Sequence, residues 1–166
     1  MSNLLVQNIK HTNGTASATV NSSGVFSSPG HVVQTVEFTE GTDYTTTSTS
    51  VVQGPQTSTF TLKNSSNKVL VVANFLGSAT TSGSYNGARF ALYRGTISGT
   101  RITSGTEPQL LSYSDQIWGW QTLQKLDTPS GNTTYSIGLW RHSNATNAKL
   151  LGAYGNTVIT MMEIQV

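Results

Sequence analysis

The sequence predicts an all-β fold, a β-sandwich of antiparallel sheets, and three observations indicate it. From residue 31 onward, short runs in which apolar and polar residues alternate follow one another along the chain. Turn signals made of Gly, Pro, Asn and Ser separate these runs at short intervals, as in sandwiches. Ser, Thr, Asn and Gln make up 68 of the 166 residues and charged residues only 10%, a surface that suits strands and turns better than helices.

The first half of the predicted domain is read from this alternation. It contains, in order, a strand with Val32, Gln34, Val36 and Phe38 on one face, a polar loop over 39–47, a strand over 48–53 that Gly54-Pro55 ends, a strand with Ser58, Phe60 and Leu62 on one face, and a tight turn over 64–67. The run that follows, residues 68–76, is apolar on both faces. It predicts a strand buried between the two layers, or between one layer and a neighbouring subunit.

The second half continues the pattern. It is expected to contain a Gly/Ser/Thr loop over 77–87, a strand with Ala88, Phe90, Leu92 and Arg94 on one face that Gly95 ends, a loop over 127–132, a strand with Tyr135, Ile137, Leu139 and Arg141 on one face, a polar turn over 142–147, and a last strand over 157–166. Residues 118–126 fit a short helix or two strand pieces equally well. Their context in an all-β chain favours strand.

Size and composition exclude several classes of protein. A chain of 166 residues can bury the core of one domain but is too short for two ordinary ones. The lack of Cys excludes thiolate catalysis, Cys-ligated zinc, iron–sulfur clusters and disulfides. The net charge is only +2 and the nine cations are scattered, so no nucleic-acid interface is expected. The first ten residues show neither a secretory signal nor a membrane span, so we expect synthesis in a cytoplasm and no membrane partner.

The first thirty residues differ from the rest and predict an extended arm with a small hairpin. Leu4, Leu5, Val6 and Ile9 are apolar residues that so short a segment cannot bury within itself. The arm therefore either docks on another chain or lies as an edge strand on its own domain. The predicted organisation is an arm over residues 1–30 and a sandwich domain over residues 31–166.

The order of several sequence blocks resembles that of the small β-sandwich virion proteins of tailed bacteriophages. The blocks are residues 31–35, 45–52, 60–71, 89–95, 126–135 and 157–164. The likeness covers about residues 31 to 166, and residues 9–25 are similar to linkers that precede such domains. Residues 102–120 match no block, and residues 1–30 lack the collagen-like, coiled-coil or triple-β pattern expected of a fibre shaft.

The resemblance implies a jelly roll of the tumour-necrosis-factor-like type that assembles as a homotrimer. Members of the family serve as capsid decorations or as heads of fibres. In such a trimer, Arg89 and Arg94, which flank Phe90, would pair with Glu163 or another acid of a neighbouring subunit. Trp140 is a further candidate for the trimer contact.

No residue pattern predicts catalysis or a bound metal or cofactor. The three His and seven acids lack the spacing that places two ligands on one strand face. No nucleophile elbow is present, and Glu107, Asp115 and Asp127 lie in stretches expected to be loops. We therefore predict a protein without catalytic, metal or cofactor residues.

Trp118 and Trp120 are the most suggestive aromatic residues. Only Gly119 separates them, so in a strand both indoles project to the same side. Exposed paired indoles can bind a saccharide or a partner chain. The alternatives are a core position or a subunit contact.

The resulting prediction is a non-enzymatic virion structural protein, a homotrimeric cement or decoration protein on the outer capsid surface. Its arm, through Leu4, Leu5, Val6 and Ile9, would bridge subunits of the phage major capsid protein. The alternative is the receptor-binding head of a tail or head fibre that recognises a host surface saccharide. The two differ in whether the arm binds coat protein or joins a shaft.

Overall fold

The computed structural model describes residues 8–10, 16–20, 26–81, 86–103, 109–112 and 116–166, and the structural statements below concern these residues. They form strands and one short 3₁₀ helix, Gly152–Tyr154. The strands are β1 (Asn8–Lys10), β2 (Ala16–Val20), β3 (Phe26–Ser27), β4 (Val32–Glu40), β5 (Asp43–Thr46), β6 (Val52–Gln56), β7 (Lys68–Thr81), β8 (Asn86–Arg94), β9 (Thr100–Arg101), β10 (Gln109–Ser112), β11 (Gln116–Asp127), β12 (Tyr135–Arg141), β13 (Ala145–Leu151) and β14 (Thr157–Ile164).

Eight of these strands make an antiparallel jelly roll. One sheet has the order β4-β14-β7-β11, and the other has the order β6-β12-β8-β10. Numbered along the chain from β4, these orders are first-eighth-third-sixth and second-seventh-fourth-fifth. Strands β5 and β13 extend the first sheet to six strands, and β9 extends the second to five. The predicted fold class, an all-β antiparallel sandwich of the jelly-roll type, is confirmed.

The long strand β7 organises the six-stranded sheet. On one side β14 pairs with its first half and β13 with its second half. On the other side β11 pairs with it without interruption, from Asp127 opposite Val69 to Gln116 opposite Thr80. The run predicted to be apolar on both faces, residues 68–76, therefore lies near the centre of the sheet, where both edges of the strand are hydrogen-bonded.

The core lies between the two sheets and follows the period-two alternation of the strands. Phe75 of β7 and Phe90 of β8 meet across it, with ring centroids 4.8 Å apart and planes at 61°. Their neighbours are the other inward side chains: Val69, Val71, Ala73, Leu92, Leu123, Tyr135, Ile137, Leu139, Leu150, Ile159 and Met161. The predicted faces of β8 and β12 are confirmed by this core.

The outer face of the five-stranded sheet carries a second apolar cluster that the chain covers itself. Ala91, Tyr93 and Trp140 form it, and Val51 and Ile97 from two loops pack against it. The guanidinium of Arg101 lies 5.6 Å from the centre of the Trp140 ring, within the range of a cation–π contact. This sheet therefore presents little of its apolar surface to solvent.

Strands β1, β2 and β3 form a small antiparallel sheet of their own, and within the described residues they pair with no strand of the sandwich. It is tied to the sandwich where the Gly30 amide donates to the Gln165 carbonyl at 2.9 Å. The side chains of Ser27 and Gln165 also form a hydrogen bond. The division into an arm over 1–30 and a domain over 31–166 stays a prediction.

Several predicted boundaries were wrong. The expected loop over 39–47 contains the end of β4 and all of β5, and the expected loop over 77–87 contains the second half of β7 and the start of β8. Residues 54 and 55, expected to end a strand, lie inside β6. The strand expected around Phe60 is reduced to a single bridge to Thr133. Gly95, whose φ of 81° favours glycine, follows the end of β8 as predicted.

Candidate functional site

The outer face of the six-stranded sheet, called the outer face below, carries mostly apolar side chains on its two central strands. Side chains on this face belong to the positions that alternate with the buried core residues. On the central strands β7 and β14 they are half-buried and mostly aliphatic: Leu70, Val72, Leu76, Val158, Met162 and Ile164. The outer side of an antiparallel sheet is usually polar where it meets water. This composition therefore marks the outer face as a candidate binding surface.

Trp118 and Trp120 stand on this face because residues 116–127 form strand β11, not a helix. They project to the same side, as predicted. Trp118 is 46% and Trp120 is 64% exposed. Their Cα partners on β7 are Ser78 and Leu76, so both indoles start from the edge of the sheet beside its central strand.

The two indoles reach across β7 to the segment that joins β13 to β14. The Trp118 ring meets the Tyr154 ring edge-on, with centroids 5.1 Å apart. The Trp120 ring lies so close to Gly155 that a Cβ on that glycine would come within 2.7 Å of it. Tyr154 is itself 68% exposed. Trp118, Trp120 and Tyr154 form what we call the aromatic cluster.

Polar side chains support the cluster from below. Ser78 lies under this part of the face and is fully buried, and Gln116 donates a hydrogen bond to its hydroxyl at 3.1 Å. Thr122, two positions along β11 from Trp120, donates to Asn74 of β7 at 2.7 Å. These cross-strand bonds fix β11 against β7, so the indoles are presented by a rigid strand pair.

Tyr154, Gly155 and the exposed Leu126 belong to this surface but were missed by the sequence analysis. Tyr154 and Gly155 fall in a segment of turn composition, and their contact with β11 is made across another strand. Leu126 faces outward on β11 and is 46% exposed. Leu126 lies an even number of residues from Trp118 and Trp120. This period-two spacing is the sequence signal that could have placed Leu126 on the same face.

Two of the predicted trimer-contact residues are enclosed in their own chain. Phe90 is fully buried in the core. Glu163 is also fully buried. Neither side chain is available to a neighbouring subunit, so the interpretation of Glu163 as an intersubunit partner of Arg89 or Arg94 does not agree with the structure.

Glu163 anchors the turn at residues 60–67 to β14. Its carboxylate accepts hydrogen bonds from the Lys63 amide at 3.0 Å, the Asn64 amide at 3.1 Å and the Asn67 side chain at 2.7 Å. Gln34 of β4 donates another at 2.6 Å. Burial opposes ionisation of this carboxyl group, but the four donors outweigh burial and lower its pKa below the usual value of 4.5.

Arg94 has an acidic partner within its own chain, and the partner is Asp127. Arg94 Nε donates to Asp127 Oδ2 at 2.8 Å, and a second guanidinium nitrogen contacts Oδ1. The Tyr135 hydroxyl donates to the same carboxylate at 3.0 Å. Burial opposes ionisation of Asp127, but these two donors and the arginine charge outweigh it and lower its pKa. Burial, followed by the Asp127 charge, raises the pKa of Tyr135.

The remaining predicted contacts lie on or near the five-stranded sheet. Trp140 is 9% exposed and belongs to the cluster that Arg101 covers. Arg89 is half-buried, and its Nε is buried without a hydrogen-bond partner. The structure thus brings Trp118 and Trp120 together on one surface but spreads the five predicted trimer contacts over the core and two other sites.

The predicted arm contacts are only partly covered by the structure. Leu4, Leu5 and Val6 lie outside the described residues. Ile9 belongs to β1, opposite Ala18 of β2, and nothing is described of its side chain. Their role in binding a capsid stays a prediction.

Two further features bear on chemistry. Within the described residues, no group of three or more His, Asp and Glu side chains could hold a metal ion, and no helix is long and apolar enough to cross a membrane. A half-open cavity of about 320 Å³ lies where the small sheet meets the sandwich. It is lined by Phe26, Ser27, His31, Val33, Lys63, Asn64, Asn67 and Gln165.

No protein-family model matches the sequence, and a comparison with curated proteins found no match. Among solved structures, the chain is similar to a protein of the disulfide-linked pili that form Bacillus endospore appendages, with a TM-score of 0.35, 10% identity and coverage of 84% of this chain and 96% of that one.

Two other structures show a similar degree of likeness. One is the VP2 subviral particle of infectious bursal disease virus, with a TM-score of 0.42, 9% identity and 86% of this chain covered; the match spans only 40% of the VP2 chain. The other is the xylan-binding domain CBM22-1 of Paenibacillus barcinonensis Xyn10C, with a TM-score of 0.31, 12% identity and coverage of 83% and 97%. No functional assignment follows from likenesses at this level.

Proposed function

We propose that this protein is a non-enzymatic structural component of a bacteriophage virion, a homotrimeric cement or decoration protein on the outer capsid surface. One observation carries the proposal. The chain has the jelly-roll strand order that the resemblance to small phage virion proteins implies. Three of the resembling blocks also fall on strands of that fold, in chain order: 31–35 overlaps β4, 89–95 overlaps β8 and 157–164 coincides with β14.

The contacts of the charged side chains support a structural role for the protein. Asp127, Arg94 and Tyr135 join the two sheets, and Glu163 holds a turn against the end of β14. Each of these groups forms its hydrogen bonds with other residues of the same fold. In a protein whose task is to withstand assembly forces, buried polar groups with all partners satisfied add rigidity.

The arm supplies the proposed contact with the capsid. Three arms on one trimer would engage neighbouring coat-protein subunits together, so each binding event raises the effective concentration of the next. The small sheet β1-β2-β3 pairs within itself and is tied to the sandwich at Gly30 and Gln165. That arrangement would allow the apolar residues before it, Leu4, Leu5 and Val6, to contact coat protein.

The test is a binding assay with labelled full-length protein and phage shells that lack it, read by co-sedimentation. The wild type should bind shells saturably, and a variant with Leu4, Leu5 and Val6 changed to Ser should lose at least about 100-fold in affinity, because three apolar anchors are removed from each of three arms. A matched control changes Ser2 and Asn3, in the same segment, to Ala and should bind as the wild type does. Full occupancy by the triple variant would contradict the role of the arm.

A second candidate function is the receptor-binding head of a fibre. The exposed indoles of Trp118 and Trp120 favour it, since paired aromatic rings stack on saccharides. The same labelled protein is therefore also incubated with host cells in a parallel binding assay. Binding to cells that free saccharide competes away, with none to shells, would replace the cement function by this one.

A further inference from the structure

We infer that the small sheet β1-β2-β3 moves between a docked and a detached position on the sandwich, and that Gln165 is the residue that holds it docked. The turn at residues 28–31 is the hinge. The inference goes beyond the proposed function, because it concerns the free protein and applies whether or not the arm binds a capsid.

The small sheet is too small to be stable by itself. Its strands have 3, 5 and 2 residues, and within the described residues they pair with no strand of the sandwich. Its buried apolar residue Ala18 belongs to neither of the two apolar clusters of the sandwich. A sheet of this size needs a packed hydrophobic face or a supporting element to stay folded. Its order therefore depends on its attachment to the sandwich.

The hydrogen bonds of this attachment converge on Gln165, among the residues that the structure describes. The Gln165 carbonyl accepts from the Gly30 amide at 2.9 Å, and the Gln165 amide donates to the His31 carbonyl at 2.9 Å. The side-chain amide of Gln165 donates to the Ser27 hydroxyl. One residue of the sandwich thus binds the end of β3 and the turn that follows it.

Gln165 is itself held by a well-anchored part of the sandwich. It follows β14, which is paired with β4 on one side and with β7 on the other. The Glu163 carboxylate of β14 is fully buried and accepts hydrogen bonds from four donors on β4 and on the turn at residues 63–67. When the contact opens, the part that moves is therefore the small sheet.

The rest of the contact is poorly packed. The half-open cavity of about 320 Å³ is lined by Phe26 from the small sheet and by Val33 from β4. Phe26 is 46% and Val33 is 37% exposed, whereas a close-packed contact would bury both. The Phe26 ring meets the His31 ring edge-on, with centroids 6.3 Å apart, but His31 belongs to the connecting turn. Because little apolar surface is buried, docking depends on the hydrogen bonds of Gln165.

The turn at residues 28–31 has the features of a hinge. The His31 amide donates to the Ser28 carbonyl at 3.0 Å, and Gly30, which follows Pro29, has a φ of 81°. These are the features of a type II turn. Glycine changes its backbone dihedrals at less cost than other residues, and nothing lies within 4 Å of the Cβ position of Gly30. A change at this turn moves the small sheet as one body.

The experiment is hydrogen–deuterium exchange of the full-length protein, read by mass spectrometry under conditions in which the exchange rate reports the opening equilibrium. Amides of the small sheet should exchange faster than those of β7 and β14, because detachment exposes them without global unfolding. Gln165→Ala and Ser27→Ala should each raise the exchange rate of the small sheet about 5-fold, through the loss of one side-chain hydrogen bond. The rates of β7 and β14 should not change.

Two further variants separate this role from a general effect on stability. The matched control is Gln124→Ala, which removes an exposed glutamine of β11 and should leave the exchange of the small sheet at the wild-type rate. The double variant Ser27→Ala with Gln165→Ala should exchange no faster than either single variant, because both substitutions remove the same hydrogen bond.

Three results would overturn the inference. One is a small sheet that exchanges as slowly as β7 in the wild type, since it would then open only by global unfolding. Another is exchange of the wild-type small sheet at the rate of unprotected amides, since it would then never be docked. The third is an unchanged rate in both single variants, or additive effects in the double variant. Because exchange is measured without capsids, a detachable small sheet in a protein that fails to bind shells would contradict the proposed cement function alone.

Discussion

Asp127 of β11 accepts a hydrogen bond from Arg94 of β8 at 2.8 Å, and this contact joins the two sheets of the sandwich. The Asp127 side chain is almost fully buried, whereas the Arg94 side chain is 29% exposed. Tyr135 of β12 adds a third strand to the contact through its hydroxyl. A polar group enclosed between layers must be fully partnered to be tolerated, and here Asp127 is partnered by Arg94 and Tyr135, which lie on two strands of the opposite sheet.

Asp127→Asn should destabilise the fold, because it leaves the Arg94 charge without its counterion at the edge of the core. With the partial exposure of Arg94 taken into account, we expect a loss of about 1–3 kcal/mol of unfolding free energy. Urea denaturation at pH 7 measures it. The matched control, Glu37→Gln, removes an exposed carboxylate of β4 and should change stability by less than about 0.5 kcal/mol. Equal effects of the two substitutions would contradict the structural role of Asp127.

Glu163→Gln should also destabilise the protein at pH 7, by about 1–3 kcal/mol, because an amide cannot accept from all four donors of the turn. The effect should depend on pH. The folded pKa of Glu163 lies below its usual value of 4.5, so its stabilisation is complete above that value and is lost as pH falls through the folded pKa.

The pH dependence gives a separate measurement of the same group. We expect the unfolding free energy of the wild type to fall more steeply below pH 4.5 than that of Glu163→Gln, because the other carboxylates contribute equally to both proteins. The two curves should approach each other in acid. Parallel curves down to the acid limit would show that the Glu163 carboxylate is not stabilised in the folded state.

Gly77→Ala should destabilise the core. A Cβ at position 77 would lie 2.8 Å from a Leu110 methyl group and 2.9 Å from the Phe90 ring, closer than packed carbon atoms allow. We expect a cost of about 1–3 kcal/mol from overpacking. Gly131→Ala is the control, because nothing lies within 4 Å of its Cβ position, and thermal denaturation should find it neutral or slightly stabilising. If Gly77→Ala were equally neutral, the close approach of β7 to Phe90 would be wrong.

Gly77 also illustrates why some strands were predicted and others were not. Strands β8, β12 and β14 alternate in hydrophobicity because one face meets the core, and this period is visible in the sequence. The second half of β7 has the composition of a Gly/Ser/Thr loop, and at Gly77 the Phe90 and Leu110 side chains leave no room for a Cβ. The small residue is there for packing, and sequence reasoning took it as a turn signal.

The predicted end of strand β6 was wrong for a different reason. Gly54 and Pro55 normally end a strand, but β6 lies at the edge of its sheet, where a proline is tolerated because one side makes no ladder bonds. Gly54 in turn allows close approach, since a Cβ there would lie 2.7 Å from the Ile137 carbonyl oxygen. Edge position is a property of the topology, which the local sequence does not contain.

The candidate site, like the fold, was predictable only where a local sequence pattern determines it. The spacing of Trp118 and Trp120 placed both on one face of a strand. Their contacts with Tyr154 and Gly155 depend on the crossing of β7 by two indoles, and no local pattern encodes it. Glu163 and Arg94 were assigned to a subunit contact because the resemblance implies a trimer in which they would pair. The partners, Lys63 and Asn64 for one and Asp127 for the other, come from distant parts of the same chain.

The measurement that tests the account most directly is the mass of the wild-type protein in solution at neutral pH. The proposed virion function requires self-assembly, because it is the function of a homotrimer. We expect one species at three times the chain mass of 17.7 kDa across micromolar concentrations. A single species at the mass of one chain over the same range would contradict the account.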